Sequence, residues 1–308
     1  SSDVCSSDLY VHSQVYQRSF GLELTDRCNF NCIHCYQDRG NTQFDPTLLD
    51  KVVALAQANN MLQVYLTGGE PFLYKNFVNI YTRLKELGFF VSVFSNGSII
   101  PKDIKKIFLK NPPNMMEISI YGFSEKSYTK STTVGNSFGG VVESIQFLTS
   151  QHINFLLKYT LMKSTVADLG KFINFTREHK INATYNAQIM PKISGTKSPL
   201  SQRLSPKILL EICHKYGLNL FNTEQAYCEA GKHLYIRSDG KIYGCPILRT
   251  GFEPNINDNI LHILDFINIL KKNFGNKICS YGRCPAWERL EKSKSRSCYI
   301  KYLSRFRQ

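Results

Sequence analysis

The sequence predicts an α/β fold, a partial (βα)6 barrel of the TIM type followed by a small C-terminal region with its own cysteines. Two observations predict this fold class. Apolar runs of four to seven residues alternate with amphipathic stretches of ten or more, and this alternation is typical of βα units around a parallel sheet. Six such units can be counted, with strands predicted at 20–24, 62–66, 89–94, 116–120, 155–161 and 183–189.

Helices are predicted between these strands. Asp45 and Pro46 form a helix start, because Asp is a preferred N-cap residue and Pro fits the first helical position. Further helices are predicted at 76–87, 101–109, 138–149, 166–178 and 206–216. Functional side chains of such barrels gather at the C-terminal ends of the strands, so motifs at those ends are candidates for a site.

The chain of 308 residues is long enough for one barrel and a smaller appendage. Residues 1–9 resemble a translated sequencing adapter, so we exclude them from the fold and expect the natural N-terminus to be missing. We expect the barrel at 10–205, and a linker helix with the C-terminal region at 206–308. A hydrophobic content of 43% excludes a disordered chain, and no apolar run of 18 residues predicts a membrane span.

Charge and cysteine content narrow the class of partner and the compartment. The 38 Lys and Arg residues exceed the 24 Asp and Glu residues, and the net charge of +14 favours an anionic partner such as an acidic peptide. A solvated basic surface explains the same excess. The cysteines are clustered and follow no secretory signal, which suits metal or redox chemistry in the cytoplasm better than a disulfide framework.

The first cysteine cluster follows the first predicted strand directly. Cys28, Cys32 and Cys35 have a C-x3-C-x2-C spacing. Three thiolates on one loop can bind three irons of a cubane and leave the fourth iron open to a small molecule. The alternative is a zinc site with His34 as fourth ligand, although neighbouring His34 and Cys35 would strain a closed tetrahedral site.

A second motif, Thr-Gly-Gly-Glu-Pro, ends the second predicted strand. Gly68 and Gly69 allow the backbone to approach a ligand, and the carboxylate of Glu70 can hold an ammonium group. An ordinary turn is the alternative. Polar side chains also end the third and fourth predicted strands, at Ser95, Asn96 and Ser119.

Together these motifs resemble the radical S-adenosylmethionine (SAM) superfamily, with a ring at His34 before the last cysteine and Tyr36 after it. The resemblance implies a [4Fe–4S] cluster on the three cysteines, which reduces SAM and releases a 5′-deoxyadenosyl radical. It implies that His34 packs near the adenine and that Glu70 binds the methionyl amino group. The other residues implied at the SAM site are Tyr36, Gly68, Gly69, Ser95, Asn96 and Ser119. A reductant such as flavodoxin or ferredoxin is the implied electron donor.

A second cysteine cluster lies in the C-terminal region. Ser238, Asp239 and Gly240 predict a hairpin turn that brings Cys228 and Cys245 together, so the two thiols could share a metal. This pattern resembles the opening of the SPASM/twitch extension, which carries auxiliary iron–sulfur clusters. A structural zinc site is the alternative.

The number of cysteines limits the number of auxiliary clusters. Once residues 1–9 and the barrel ligands are set aside, six cysteines remain, whereas two fully thiolate-ligated cubanes need eight. We therefore expect one auxiliary [4Fe–4S] cluster. Its expected ligands are Cys228, Cys245 and Cys284, with Cys298 or Cys279 as the fourth.

Cys213 belongs to neither cluster. It lies near an apolar face of the helix predicted at 206–216, where a buried inert thiol is one interpretation. The other interpretation is a catalytic hydrogen-atom donor to a substrate radical.

Beyond these motifs, the segment from Tyr121 to Glu125 resembles enzymes that modify ribosomally made peptides (RiPPs). The resemblance implies an oxidoreductase that cross-links, oxidises or epimerises a peptide, with an acidic leader as the expected anionic partner and no membrane or nucleic-acid partner. A sulfatase-maturating, formylglycine-generating enzyme is one alternative. A non-enzymatic iron–sulfur or zinc protein is another, but it would leave the Gly-Gly-Glu motif without a role.

Overall fold

Strands and helices alternate along residues 19–218, 233–246 and 253–274, which are the residues described by this computed structural model. The strands are β1 Ser19–Thr25, β2 Gln63–Gly68, β3 Phe90–Ser95, β4 Met115–Ile120, β5 Phe155–Thr160, β6 Ala183–Asn186, β7 Leu234–Ile236 and β8 Ile242–Tyr243. The helices are α1 Leu49–Ala58, α2 Phe77–Glu86, α3 Lys102–Lys110, α4 Glu125–Thr132, α5 Phe138–Ser150, α6 Leu169–Glu178, α7 Pro206–Tyr216 and α8 Ile260–Phe274. Short 3-10 turns occupy Pro46–Leu48, Pro71–Leu73, Val166–Asp168 and Ser198–Gln202.

One sheet runs through the described residues in the order β6-β5-β4-β3-β2-β1-β7-β8. Strands β1 to β6 are parallel and follow the chain order. The sheet does not close on itself, so the fold is an open, partial (βα)6 barrel, and the predicted α/β class is confirmed. The carboxyl ends of its parallel strands meet at one rim, where the loops with the sequence motifs also begin.

Strand β1 separates an apolar face from a polar one. Phe20, Leu22 and Leu24 are fully buried in the hydrophobic core, and the alternating positions, which include Gly21 and Glu23, lie on the opposite face. A Cβ atom at Gly21 would collide with the ring of Tyr65 on β2. Glycine is therefore required where this aromatic ring crosses β1.

The predicted elements agree with the structure except at a few places. Asp45 accepts a hydrogen bond from the Thr47 N–H and starts the turn before α1, as predicted. The sixth strand ends at Asn186 rather than at residue 189, because the Asn186 side chain accepts the N–H of Gln188 and turns the chain. Helices α4 and α8 were not predicted. Residues of α4 buried by tertiary packing include Ser127, Ser131 and Thr132, so its buried face lacks an apolar periodicity.

The C-terminal hairpin joins the same sheet as the barrel. β7 and β8 are antiparallel around the predicted turn at Ser238 to Gly240, and β7 pairs in parallel with β1. This attachment was not predicted, since a three-residue strand has no pattern that identifies its partner. The boundary between the two regions at residue 205 stays a prediction. No helix in the described ranges is long and apolar enough to span a membrane.

Candidate active site

A cavity of about 300 Å³ opens at the carboxyl ends of the parallel strands. Its wall is built from the last residues of β2 to β6, from the loops after β1, β2, β3, β4 and β6, and from Tyr235 of β7. Most of the residues predicted for the site line it, namely Cys28, Cys32, His34, Cys35, Tyr36, Gly68, Gly69, Ser95, Asn96 and Ser119. Residues distant in sequence are therefore brought to one place.

The cysteine loop is held by helix α4 through backbone hydrogen bonds. The N–H groups of Asn31 and Ile33 donate to the carbonyls of Thr132 and Ser131, at 2.9 and 3.0 Å. Phe30, at 2% exposure, anchors the loop in the core. The loop thereby presents all three of its thiols to the cavity.

Burial affects the chemistry of these thiols. It raises the pKa of Cys28 to about 11 and also raises the pKa values of Cys32 and Cys35. Metal binding needs thiolates and therefore releases protons. Within the described ranges, no three His, Cys, Asp or Glu side chains lie close enough to hold one metal ion.

His34 contributes a neutral ring to the wall. Burial lowers its pKa to about 4, so the ring is uncharged at neutral pH. The ring centroid lies 4.8 Å from that of Tyr121, and the buried Nδ1 atom has no hydrogen-bond partner among the described residues. An uncharged ring at a cavity wall can pack against another ring, and the predicted contact with adenine stays a prediction.

The Gly-Gly-Glu motif is bound to the start of the cysteine loop. The N–H groups of Gly69 and Glu70 donate to the carbonyls of Thr25 and Arg27, both at 2.8 Å. A Cβ atom at Gly68 would overlap the Thr25 backbone, and one at Gly69 would overlap the Arg27 backbone. The two glycines thus allow two loops to touch through their backbones, and both line the cavity.

Glu70 lies behind the wall rather than in it. Its carboxylate, only 1% exposed, accepts hydrogen bonds from Ser95 Oγ at 2.9 Å, from the Asn96 N–H at 2.8 Å and from the Phe72 N–H at 3.2 Å. Burial raises its pKa to about 7, although these bonds act in the opposite direction. The predicted contact with the methionyl amino group stays a prediction, because protein donors engage both oxygens and Glu70 does not line the described cavity.

Asn96 connects the loop after β3 to the cysteine loop. Its Nδ2 atom donates to Asn29 Oδ1 at 2.9 Å and lies 3.9 Å from the Cys28 sulfur. Asn29 in turn donates to Ser98 Oγ at 2.8 Å. The loop after β3 therefore orients the first cysteine as well as the cavity wall.

Other residues of the site were not predicted from the sequence. Lys158 of β5 forms an ion pair with Glu117 of β4, and its ammonium lies 5.2 Å from the centroid of the Phe94 ring. Tyr65 stacks on Phe94 at 4.9 Å between ring centroids. These side chains follow the two-residue alternation of their strands. A charged residue at an inward position of a strand, such as Lys158 or Glu117, was the sequence signal that could have identified this part of the site.

The predicted auxiliary site is only partly described. Cys245 lies just beyond β8, and its thiol is among the groups that raise the pKa of Tyr65, after the larger effect of burial. Cys228, Cys279, Cys284 and Cys298 lie outside the described residues. Cys213 is partly buried on α7 and is not among the residues that line the cavity, so the proposed hydrogen donor is not brought to this site within the described ranges.

A family model described as "Radical SAM superfamily" matches residues 22–176, half of the chain. The chain belongs to the radical SAM superfamily. It is an enzyme, and the cofactors of this fold are SAM and a [4Fe–4S] cluster. The donor set fits a cluster with one open iron, because three free thiols on one loop face the same cavity.

The known proteins that this chain is similar to have names that indicate different substrates. A curated relative, the GTP 3′,8-cyclase of Limosilactobacillus fermentum, is 26% identical over 275 residues, which cover 77% of this chain and 81% of that protein. Streptococcus suis SuiB bound to its precursor peptide SuiA superposes with a TM-score of 0.65 at 14% identity, covering 90% of this chain and 71% of SuiB. Native anSMEcpe with bound AdoMet and the Kp18Cys peptide gives 0.64 at 16% identity, covering 84% of each chain. At these identities the solved structures show the shared fold.

Proposed function

We propose that this radical SAM enzyme modifies a peptide, by cross-linking, oxidation or epimerisation, in the maturation of a ribosomally made product. The observation that supports a peptide best is the mixed charge of the cavity. Among the described residues that line it, the basic ones are Arg39, Lys158 and Lys192, and the acidic ones are Asp26 and Asp38. Lys158 is already paired with Glu117. A peptide needs no concentrated positive charge, whereas a nucleoside triphosphate needs several cations around its phosphates.

In this proposal the barrel residues hold both cofactors. Cys28, Cys32 and Cys35 would bind the [4Fe–4S] cluster, and SAM would lie beside them. When an electron arrives from a reductant such as flavodoxin or ferredoxin, the bound cofactors supply a 5′-deoxyadenosyl radical. The residues proposed to surround SAM are His34, Tyr36, Gly68, Gly69, Ser95, Asn96 and Ser119, with Glu70 orienting two of them through hydrogen bonds.

The chain's own contribution is orientation and exclusion of water. Tyr235 and Tyr121 contribute aromatic surface to the cavity wall. Lys158, held between Glu117 and the Phe94 ring, offers a fixed donor in the cavity wall. Fixed polar groups can hold one substrate carbon at the radical, and a bound substrate that fills the cavity excludes the solvent that would quench it.

The C-terminal hairpin supports a second, auxiliary cluster. Cys245 follows the confirmed turn, and Cys228 precedes the hairpin in the sequence. We propose that these two thiols and Cys284 bind one auxiliary [4Fe–4S] cluster, with Cys298 or Cys279 as the fourth ligand. An auxiliary cluster near the peptide would accept the electron that is left after a bond is formed or oxidised.

A second candidate substrate is GTP, favoured by the similarity to the GTP 3′,8-cyclase. The deciding experiment incubates the anaerobically reconstituted enzyme with SAM and dithionite, and with either GTP or a peptide encoded beside the gene. Mass spectrometry of the peptide should show the loss of two hydrogens for a cross-link or oxidation, or deuterium uptake from heavy water for an epimerisation. A modified nucleotide and an unchanged peptide would favour GTP instead.

A control tests the assignment of the barrel cluster. The variant with Cys28, Cys32 and Cys35 all replaced by Ala should produce no 5′-deoxyadenosine and should lose about four irons, one cubane. Cleavage of SAM by this variant would contradict the proposed function at its first step.

A further inference from the structure

A buried carboxylate connects the C-terminal hairpin to the cysteine loop. Glu23 lies in β1, and its side chain is 0% exposed. Its Oε1 atom accepts a hydrogen bond from Gln37 Nε2 at 3.2 Å, and its Oε2 atom lies 3.2 Å from Arg237 Nε. Gln37 follows the cysteine motif, and Arg237 follows β7. One carboxylate thus bridges two segments that are 200 residues apart in the sequence.

Gln37 in turn contacts a proposed cluster ligand. Its backbone N–H lies near enough to the Cys35 sulfur to lower the pKa of that thiol, against the larger effect of burial, and the residue lines the cavity. The side chain of Gln37 is anchored by Glu23, so the carboxylate restricts where this N–H can lie. Hydrogen bonds to cluster sulfurs are among the features that set the reduction potential of an iron–sulfur cluster.

Stability alone is a weak explanation for this arrangement. A buried ion pair costs desolvation energy, and apolar residues of similar volume often give equal stability at such positions. Here the pair lies between the cysteine loop and the hairpin that leads to Cys245. A charged bridge has directional contacts and therefore fixes the relative position of the two segments more narrowly than apolar packing would.

We propose that Glu23 is a positioning residue, which through Gln37 fixes the N–H near the Cys35 sulfur and through Arg237 makes the reduction potential of the barrel cluster depend on the position of the hairpin. The inference rests on the proposed function, in which Cys28, Cys32 and Cys35 bind that cluster. Its consequence is that a change at the auxiliary site is transmitted to the barrel cluster through three side chains.

The test uses the full chain, reconstituted anaerobically. Gln37→Met removes the side-chain bond while it keeps the backbone N–H and a similar volume. Gln188→Met is the matched control, because Gln188 lines the same cavity from another loop. A double variant, Glu23→Gln with Arg237→Met, removes the ion pair without leaving a lone buried charge. The readouts are iron content, melting temperature and the midpoint potential of the cluster whose electron paramagnetic resonance signal changes on adding SAM.

We expect Gln37→Met to retain full iron, with a melting temperature below that of the control because the buried Glu23 carboxylate loses one donor. Its midpoint potential should shift to more negative values, because the N–H that stabilises the reduced cluster is less well placed. The double variant should shift in the same direction, and Gln188→Met should not shift. A wild-type potential in Gln37→Met at full iron overturns the proposal.

A shift in Gln37→Met without one in the double variant overturns the connection to the hairpin. If the double variant does not fold, Arg237→Lys, which keeps the charge and alters the donor geometry, takes its place with the same expected shift. A signal that persists when the three barrel cysteines are replaced would instead contradict the proposed function, so the two failures are distinguishable.

Discussion

Glu70 joins the loops after β2 and β3 through one buried carboxylate. Three protein donors surround it, two of them backbone N–H groups. Burial nevertheless raises its pKa from 4.5 to about 7, so the folded protein favours the protonated form more than the unfolded chain does. A raised pKa means that the contribution of Glu70 to stability is full below its ordinary pKa and is lost as the pH rises through about 7.

Replacing Glu70 by Gln should remove this pH dependence. The free energy of unfolding of wild type, relative to the variant, should fall by about 3 kcal/mol between pH 4.5 and pH 8. Urea unfolding of the metal-free enzyme at several pH values measures it, with the exposed Glu178→Gln as control. In the reconstituted enzyme, Glu70→Gln should bind SAM more weakly at unchanged iron content. The amide has one acceptor oxygen instead of two, so either the Ser95 hydroxyl or the Asn96 N–H loses its acceptor. If the free energies of unfolding of wild type and Glu70→Gln changed with pH in parallel, this result would contradict a raised pKa for Glu70.

Gly69 and Gly139 provide a matched pair of glycine substitutions. A Cβ atom at Gly69 would overlap the Arg27 backbone, whereas a Cβ at Gly139, in helix α5, meets nothing within 4 Å. Gly69→Ala should therefore separate the two loops and lower both iron content and SAM affinity. Gly139→Ala should stabilise α5 by up to about 1 kcal/mol and leave both quantities unchanged. Equal iron content in the two variants would mean that the loops can separate without cost.

At the scale of elements, helix α4 binds the cysteine loop and is itself anchored by the turn before α6. Asp168, at the end of the turn before α6, accepts hydrogen bonds from the Phe123 N–H at 3.0 Å, from Ser124 Oγ at 2.6 Å and from Ser127 Oγ. Burial opposes ionisation, but the bonds from Ser124 and Ser127 prevail and lower the pKa of Asp168. The first turn of α4 is thereby fixed, and its last residues hold the loop.

Replacing Asp168 by Ala should loosen α4. Loss of hydrogen bonds to a charged acceptor is expected to cost about 2 to 3 kcal/mol in the free energy of unfolding. Because the contribution of an acid with a lowered pKa is present above its ordinary pKa of 3.8, the loss should be full at neutral pH and shrink in acid. Chemical denaturation measures this change, with the exposed Asp265→Ala on α8 as control. A variant as stable as the control would show that α4 needs no such anchor.

At the scale of the whole molecule, the two proposed clusters should be separable. The reconstituted enzyme should hold about eight irons, four in each cubane. Cys245→Ala should leave about four irons and preserve SAM cleavage, because the first step needs only the barrel cluster, while the peptide product is lost. Iron analysis, 5′-deoxyadenosine formation and peptide mass spectrometry measure these outcomes.

Cys213→Ala is the control for the loss of a thiol, since Cys213 lies on α7 and is not among the residues that line the cavity, and it should keep about eight irons. Wild-type product from Cys245→Ala would make the auxiliary cluster structural or absent, and zinc found in place of iron would distinguish these two outcomes.

The sequence by itself determined the parts of this protein that depend on local chemistry. The period of apolar residues predicted all six βα units of the barrel, and Asp45 with Pro46 predicted the start of α1. The spacing of Cys28, Cys32 and Cys35 and the Gly-Gly-Glu motif predicted which superfamily the chain belongs to, and the loops that carry them line the cavity. A single sequence predicts these features because each depends on residues that are close together in the chain.

Only the tertiary structure decided the rest. Nothing near Glu70 in the sequence indicates that Ser95 and Asn96 donate hydrogen bonds to its carboxylate. Nothing near Glu23 indicates that its carboxylate binds both Gln37 and Arg237. The hairpin joins β1 because that strand has an unpaired edge in the barrel, and helix α4 forms although three of its four buried residues are Ser or Thr. Contacts between distant segments depend on how elements pack, and a single sequence contains no local pattern that records them.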